Sequence, residues 1–303
     1  MNELNSLRIK EFLVKLLPGF LIRYFARPYV SGDSIEKGIA KADDLWLKRK
    51  ISSTLDLLGE EVYSKEEVEE NVTVYLELLD KLEGKNYVTV SLKPSSLGYN
   101  DGIEYCQEII ERILIKAKEV NIPITLDMED FNFTDDTLII YKNLLRKFPN
   151  FGTVIQSRLF RTQDDILSLK EHPGRIRLCI GIYKEDKDIA LTNKAEMKQK
   201  LVEFAELLIN QGNYVEVATH DSKTLEEVLA LAEENSWTSD QLEFQQLMGV
   251  PMSKMQTKLL EKHSVRLYVP FATHWDKALP YLRRRMINNP GMGIYVLKNL
   301  FKK

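Results

Sequence analysis

A chain of 303 residues, 44% hydrophobic and 29% charged, has enough apolar material to bury a sizeable core, as one large globular domain or two modest ones. A net charge of -3 and a pI near 6.0, with charges interspersed rather than blocked, exclude the basic field on which nucleic-acid binding depends. Two cysteines, Cys106 and Cys179, are too few for a disulfide framework or a thiolate metal site and suit a reducing cytoplasm.

In chain order, no secretory signal pattern opens the sequence. The stretch from Phe12 to Tyr29 is rich in Leu and Phe, but Lys15, Pro18, Arg23 and Arg27 interrupt it. It falls short of the about 20 apolar residues that a membrane span requires. It predicts a helix packed on the exterior of the fold, with a peripheral contact to the inner face of a membrane as the alternative. Apolar or β-branched runs then alternate with longer amphipathic stretches. Strands are predicted over Ser52–Leu58, Tyr87–Leu92, Ile122–Met128, Gly152–Gln156, Ile176–Ile180, Tyr214–Ala218, Leu242–Gln246 and Val265–Pro270. Helices are predicted over Lys65–Leu82, Ile103–Glu119, Asp136–Lys147, Asp164–Lys170, Lys194–Gln211, Ser222–Glu234 and Lys254–Lys262, and a last one carries Tyr281-Leu-Arg-Arg-Arg285. Eight strand-helix units in about 250 residues predict an α/β fold, a closed (β/α)8 TIM-like barrel, with a doubly wound open sheet as the runner-up. One domain is expected over 1–303: a helical segment over 1–45, the barrel over 50–303, and a C-terminal helix over the barrel mouth. No G-x-G-x-x-G or Walker loop follows any strand.

Chemistry in such a barrel gathers at the C-terminal ends of the strands. Those ends carry Glu60, then Lys93, then Asp127 with Glu129 and Asp130, then Gln156 with Arg158, then Gly181 and Tyr183. Thr219-His220-Asp221, Gln245 with Gln246, and Tyr268 complete the circuit. Lys93 with Arg284 and Arg285 forms a basic group that suits an anionic substrate, because guanidinium binds carboxylate or phosphate through a planar fork. Gln156, Arg177, Gly181, Tyr183 and His220 suit a planar cofactor. Asp127, His220 and Asp221 could ligate a metal, but the chain has four histidines and the other three sit in segments unlike ligand positions, so no metal is expected. No G-x-S-x-G elbow supports a serine nucleophile. Each residue also has a plainer reading: Asp127 as a helix cap, Glu60 as part of a solvated face, Lys93 as a loop cation, the tyrosines as core aromatics, and the Arg triplet as an exposed basic face.

Nine segments together, Leu55-Asp-Leu-Leu-Gly-Glu60, Val90-Ser-Leu-Lys-Pro94, Thr125-Leu-Asp-Met-Glu129, Val154-Ile-Gln156, Arg177-Leu178 with Gly181 and Tyr183, Ala218-Thr-His220, Glu243-Phe-Gln-Gln-Leu-Met-Gly249, Arg266-Leu-Tyr-Val-Pro270 and Tyr281-Leu-Arg-Arg-Arg285, resemble the FAD-dependent proline dehydrogenase family of the bacterial monofunctional kind. The match runs in order from about residue 30 to about 295. The resemblance implies that Lys93, Arg284 and Arg285 hold an amino-acid carboxylate, that Tyr268 and Tyr281 pack over the substrate ring, and that Asp127 supports the pocket. It makes Glu60 a gate paired with Arg284. It places flavin contacts on Met128, Gln156, Arg177, Cys179, Gly181, Tyr183, Thr219 and His220, with an Arg near the flavin N5 stabilising negative charge on the reduced ring.

The chain departs from the family pattern at several positions. Asn288 stands where the family has a Glu close to the substrate amine, which removes a charge pair worth on the order of 1–3 kcal/mol. Ile180 and Ile182 stand where relatives carry Lys and Ala, Ser157-Arg158 where they often carry a small residue and Tyr, and Asp221 where they often carry Asn. The resemblance implies oxidation of L-proline to 1-pyrroline-5-carboxylate by hydride transfer to FAD, with electrons passed to a quinone. Asn288 and Ile180 point to an alternative with the same chemistry on another cyclic or N-substituted amino acid. A flavin-binding barrel without turnover conflicts with retention of the whole basic group.

Overall fold

The computed structural model describes residues 27–59 and 62–288 with Pro18, Gly19 and Ile22; for residue 280 and residues 284–288 it describes the backbone alone. Helix α1 (Ile35–Arg49) precedes β1 (Ser52–Leu57), and the units α2 (Lys65–Lys81), β2 (Val88–Leu92), α3 (Ile103–Glu119), β3 (Ile124–Leu126), α4 (Thr134–Leu145) and β4 (Phe151–Gln156) follow. The chain continues through α5 (Thr162–Ser168), β5 (Arg175–Cys179), α6 (Lys194–Asn210), β6 (Tyr214–Ala218), α7 (Ser222–Glu234), β7 (Leu242–Leu247), α8 (Ser253–Leu260), β8 (Ser264–Phe271) and α9 (Trp275–Asn288). The eight strands pair in parallel in sequence order, and β8 closes onto β1 with Thr54 opposite Tyr268 and Asp56 opposite Pro270. The predicted barrel is observed and the open sheet is not.

Alternation along the strands decides where the core sits, because successive side chains point to opposite faces. Leu55 and Leu57, Val88 and Val90, Ile176 and Leu178, Val215 and Val217, and Val265, Leu267 and Val269 are all buried in one apolar cluster with the inner faces of α2, α3, α4, α6 and α7. The positions between them are polar: Thr54 and Asp56, Thr89 and Ser91, Arg175 and Arg177, Glu216, Glu243 and Gln245, and Arg266. The usual filling of a barrel interior is Val, Ile and Leu. Here it is replaced by ion pairs: Arg175 on Glu216, with a 3.1 Å bond from Nε, and Arg266 on Glu243 at 2.7 Å.

Local sequence sets the helix boundaries. Ser34, Ser64, Asn193 and Asp221 each accept a bond from the first turn of α1, α2, α6 and α7, which satisfies amide groups that have no partner inside the helix. Strand β3 is only three residues long against the seven predicted, because the chain leaves the sheet at Asp127 to reach the short turn Phe131–Phe133. Helix α9 follows β8 closely. Its Ala278 and Leu282 pack with Leu58, Val30 and Ile22, and its Tyr281 reaches the barrel mouth. No helix among the described residues is long and apolar enough to cross a membrane. The stretch from Phe12 to Tyr29 lies largely outside the described residues.

Candidate active site

The C-terminal strand ends enclose a cavity of about 570 Å³. That size is in the range of small-molecule and cofactor sites. Its lining includes Lys93, Asp127, Tyr268 and Tyr281, and also Met128, Gln156, Arg177, Cys179, Gly181, Tyr183, Thr219 and His220. These twelve residues therefore meet in one place, although they span nearly 190 positions of sequence; Asp130, Arg158 and Asp221, also at strand ends, do not line it. Glu60 and the side chains of Arg284, Arg285 and Asn288 lie outside the described residues; the backbone places 284, 285 and 288 on α9, the helix that brings Tyr281 to the mouth.

Asp127 is the hub. Its Oδ1 accepts from Arg177 at 2.6 Å and from Ser91 at 3.1 Å, and its Oδ2 accepts from the Tyr268 hydroxyl at 2.5 Å. It is not a helix cap; Asp130 takes that duty, accepting from the Asn132 amide. Lys93, nine-tenths buried, donates to Asp56 and to the Tyr268 hydroxyl at 3.3 Å, with Asp127 at 3.6 Å. Burial works against its ammonium, but Asp56, Tyr268 and Asp127 outweigh burial and hold Lys93 protonated well above the ordinary lysine range. Tyr268 moves the same way, its phenol raised by burial and by the two aspartates, so it stays a hydrogen-bond donor. The Arg177 guanidinium lies 5.2 Å from the centre of the Tyr268 ring and donates through Nε to Gln245 at 2.7 Å. Gln245 in turn donates to Glu216 at 2.7 Å and to Glu243 at 2.6 Å, which ties the cavity floor to the ion pairs below it.

The other side of the cavity is shaped for a flat, partly apolar group. Met128 and Val154 pack together with Cys179, and Ala218 and Leu247 add to the wall. Burial pushes the Cys179 thiol up to about 11, so it brings no charge. Gln156 donates to the Glu129 carbonyl at 2.8 Å, and its buried Oε1 has no partner, an acceptor suited to a ligand N–H. Gly181 has φ +104°, and a Cβ there would sit 2.2 Å from that Oε1. His220 accepts from the Leu247 amide at 2.9 Å through Nε2, which puts its ring proton on Nδ1. Asp221, weighed as a metal ligand, caps α7 at the Thr224 amide and pairs with Lys198 at 2.6 Å. Arg158 donates to the Tyr183 carbonyl rather than entering the cavity wall.

Reading strand ends missed Asp56, the partner of Lys93, and the interior residues Glu216, Glu243, Arg175 and Arg266. A polar residue at every second position of a strand in a sheet buried on both faces was the available signal.

A family model for proline dehydrogenases matches residues 40–183 and 184–293. Proline dehydrogenase 1 of Bacillus subtilis is 30% identical over 292 residues, 96% of this chain and 95% of that protein. The proline dehydrogenase of Deinococcus radiodurans is 31% identical over 283 residues, 91% of this chain and 90% of that one. Among solved structures, proline utilization A from Bdellovibrio bacteriovorus, inactivated by N-propargylglycine, superposes with a TM-score of 0.80 at 23% identity. It covers 88% of this chain, which spans 32% of that longer protein, and at that identity the likeness speaks to the fold. The chain belongs to the proline dehydrogenase family.

Proposed function

We propose that the protein oxidises L-proline to 1-pyrroline-5-carboxylate with FAD as its flavin and a quinone as the onward electron acceptor. The observation that carries this reading is the meeting of twelve candidate residues, four for the substrate and eight for the flavin, around one cavity in a chain of this family. The flavin supplies a two-electron hydride acceptor when bound. Gly181, the free Oε1 of Gln156, and the apolar wall of Met128 and Val154 would hold its ring. Arg177, Thr219 and His220 would complete its contacts.

The chain's own residues bind and orient the substrate. Lys93, kept protonated, attracts its carboxylate, and the family motif on α9 assigns Arg284 and Arg285 to the same group. Tyr268, fixed by Asp127, presents an aromatic face to the ring. Cation and carboxylate pairs already formed in the floor need no reorganisation when charge develops. Glu60 would gate the entrance. Use of a quinone would bring a peripheral contact with a lipid surface. The alternative of another cyclic amino acid is not favoured by the family relationship.

Anaerobic mixing of the flavin-loaded protein with excess L-proline tests the reading. Bleaching of the oxidised flavin band, reversed by a soluble quinone faster than by buffer, is the expected result; a band that proline leaves unchanged overturns it.

A further inference from the structure

We propose that Asp56 is the catalytic base, its Oδ2 taking the proton that the substrate ammonium must lose before the ring carbon is oxidised. The inference rests on the proline-oxidising reading above. A protonated secondary amine has no electron pair on nitrogen, so the adjacent C–H cannot leave as hydride until a base removes an N–H proton.

Among the described residues, three carboxylates line the cavity: Asp56, Asp127 and Glu129. Asp127 has donors on both oxygens, Arg177 and Ser91 on one and Tyr268 on the other. Glu129 accepts from the Ser95 hydroxyl at 2.6 Å through one oxygen and from the Ser95 amide at 2.8 Å through the other. Asp56 is 1% exposed, one oxygen is bound to Lys93, and Oδ2 has no hydrogen-bond partner. Of the three it alone has a carboxylate oxygen that accepts no hydrogen bond, and the Tyr268 hydroxyl, which lies close enough to lower the Asp56 carboxyl, is held by Asp127. Lys93 already holds its proton and so serves as an anchor rather than an acceptor.

The groups that face Asp56 are Lys93 beyond β2, Asp127 beyond β3, Tyr268 on β8 and Tyr75 on α2. Burial, aided by Asp127, outweighs Lys93 and raises the Asp56 carboxyl above the ordinary aspartate range, which brings its basicity nearer to that needed at neutral pH. In the step itself the N–H bond breaks, its electron pair stays on nitrogen, and an O–H bond forms at Oδ2. That pair then becomes the C=N bond of a protonated imine as C5 loses hydride to the oxidant of the proposed reaction.

The test is the pH profile of flavin bleaching at saturating L-proline, by anaerobic stopped flow on the flavin-loaded enzyme and its Asp56→Asn and Asp56→Glu variants. The expected result is a rate that falls on the acid side for the native enzyme. Asp56→Asn should be at least about 100-fold slower and lack that limb. Binding of tetrahydro-2-furoate, which has oxygen in place of the amine, reads separately any change at Lys93 that loss of its Asp56 partner brings, and the rate loss in Asp56→Asn should exceed that change by at least about 10-fold. Asp56→Glu should keep a limb at a displaced pH, and it carries the test if the Asn variant does not fold. An Asp56→Asn enzyme that keeps the native rate or the acid limb, or an Asp56→Glu enzyme without a limb, overturns the assignment. A native enzyme that proline does not bleach overturns the proposed function instead.

Discussion

Tyr268 illustrates how one side chain depends on its supports. Its hydroxyl donates to Asp127 at 2.5 Å and accepts from Lys93 at 3.3 Å. Tyr268→Phe leaves the Asp127 oxygen without its donor in a buried site, which costs about 1–3 kcal/mol. We expect kcat/KM for proline to fall by about 10- to 100-fold with flavin content unchanged, checked by steady-state kinetics against the flavin absorbance of each preparation. Arg285 is read from the family motif. Arg285→Met should raise KM for proline by at least about 10-fold while kcat changes less, since a carboxylate fork is lost; an unchanged KM shows that the clamp is misassigned.

At the scale of an element, the segment that follows β5 forms the cavity wall through Gly181 and Tyr183. It is tied down by Arg158 on the Tyr183 carbonyl and by Glu185, which accepts from the Phe131 amide at 3.0 Å. Gly181 holds a φ of +104° that L side chains rarely adopt, and its missing Cβ leaves room beside Gln156. Gly181→Ala should therefore strain the turn and displace Gln156, so that the purified protein loses flavin on gel filtration, while its circular dichroism stays native. Full flavin retention in that variant would show that the turn does not shape the flavin site.

For the whole molecule, the described barrel interior holds four cations, Lys93, Arg175, Arg177 and Arg266, against four carboxylates, Asp56, Asp127, Glu216 and Glu243. Such a network costs desolvation, and its balance matters more than any one pair. Arg266→Met should destabilise by about 3–5 kcal/mol by stranding Glu243, and the double variant with Glu243→Leu should recover most of that in urea unfolding. Acid should act through the same pair. Burial alone would raise the Glu243 carboxyl, but Arg266 outweighs it and lowers it from 4.5 to about 2. Because the folded-state value is the lower one, its contribution is fully present above pH 4.5 and is lost as pH falls toward about 2. The loss is on the order of 3 kcal/mol, visible as a falling urea midpoint that Glu243→Gln flattens.

The sequence by itself determined the fold class, the order of eight strands and twelve of the residues that line the mouth. The fold follows from the alternation of apolar runs with amphipathic stretches, and the mouth residues follow from their place at strand ends and from the family resemblance. Strand boundaries shifted by a residue or two where a ladder ended, as at β3, where the turn to Phe131 competes with the sheet. Only the tertiary structure decided that Lys93 pairs with Asp56, that Asp127 is shared by Ser91, Arg177 and Tyr268, and that Gln245 links the site to the ion pairs beneath it. Those partners lie up to 141 positions apart in sequence. Their distances depend on barrel closure and register, which no local pattern of residues encodes.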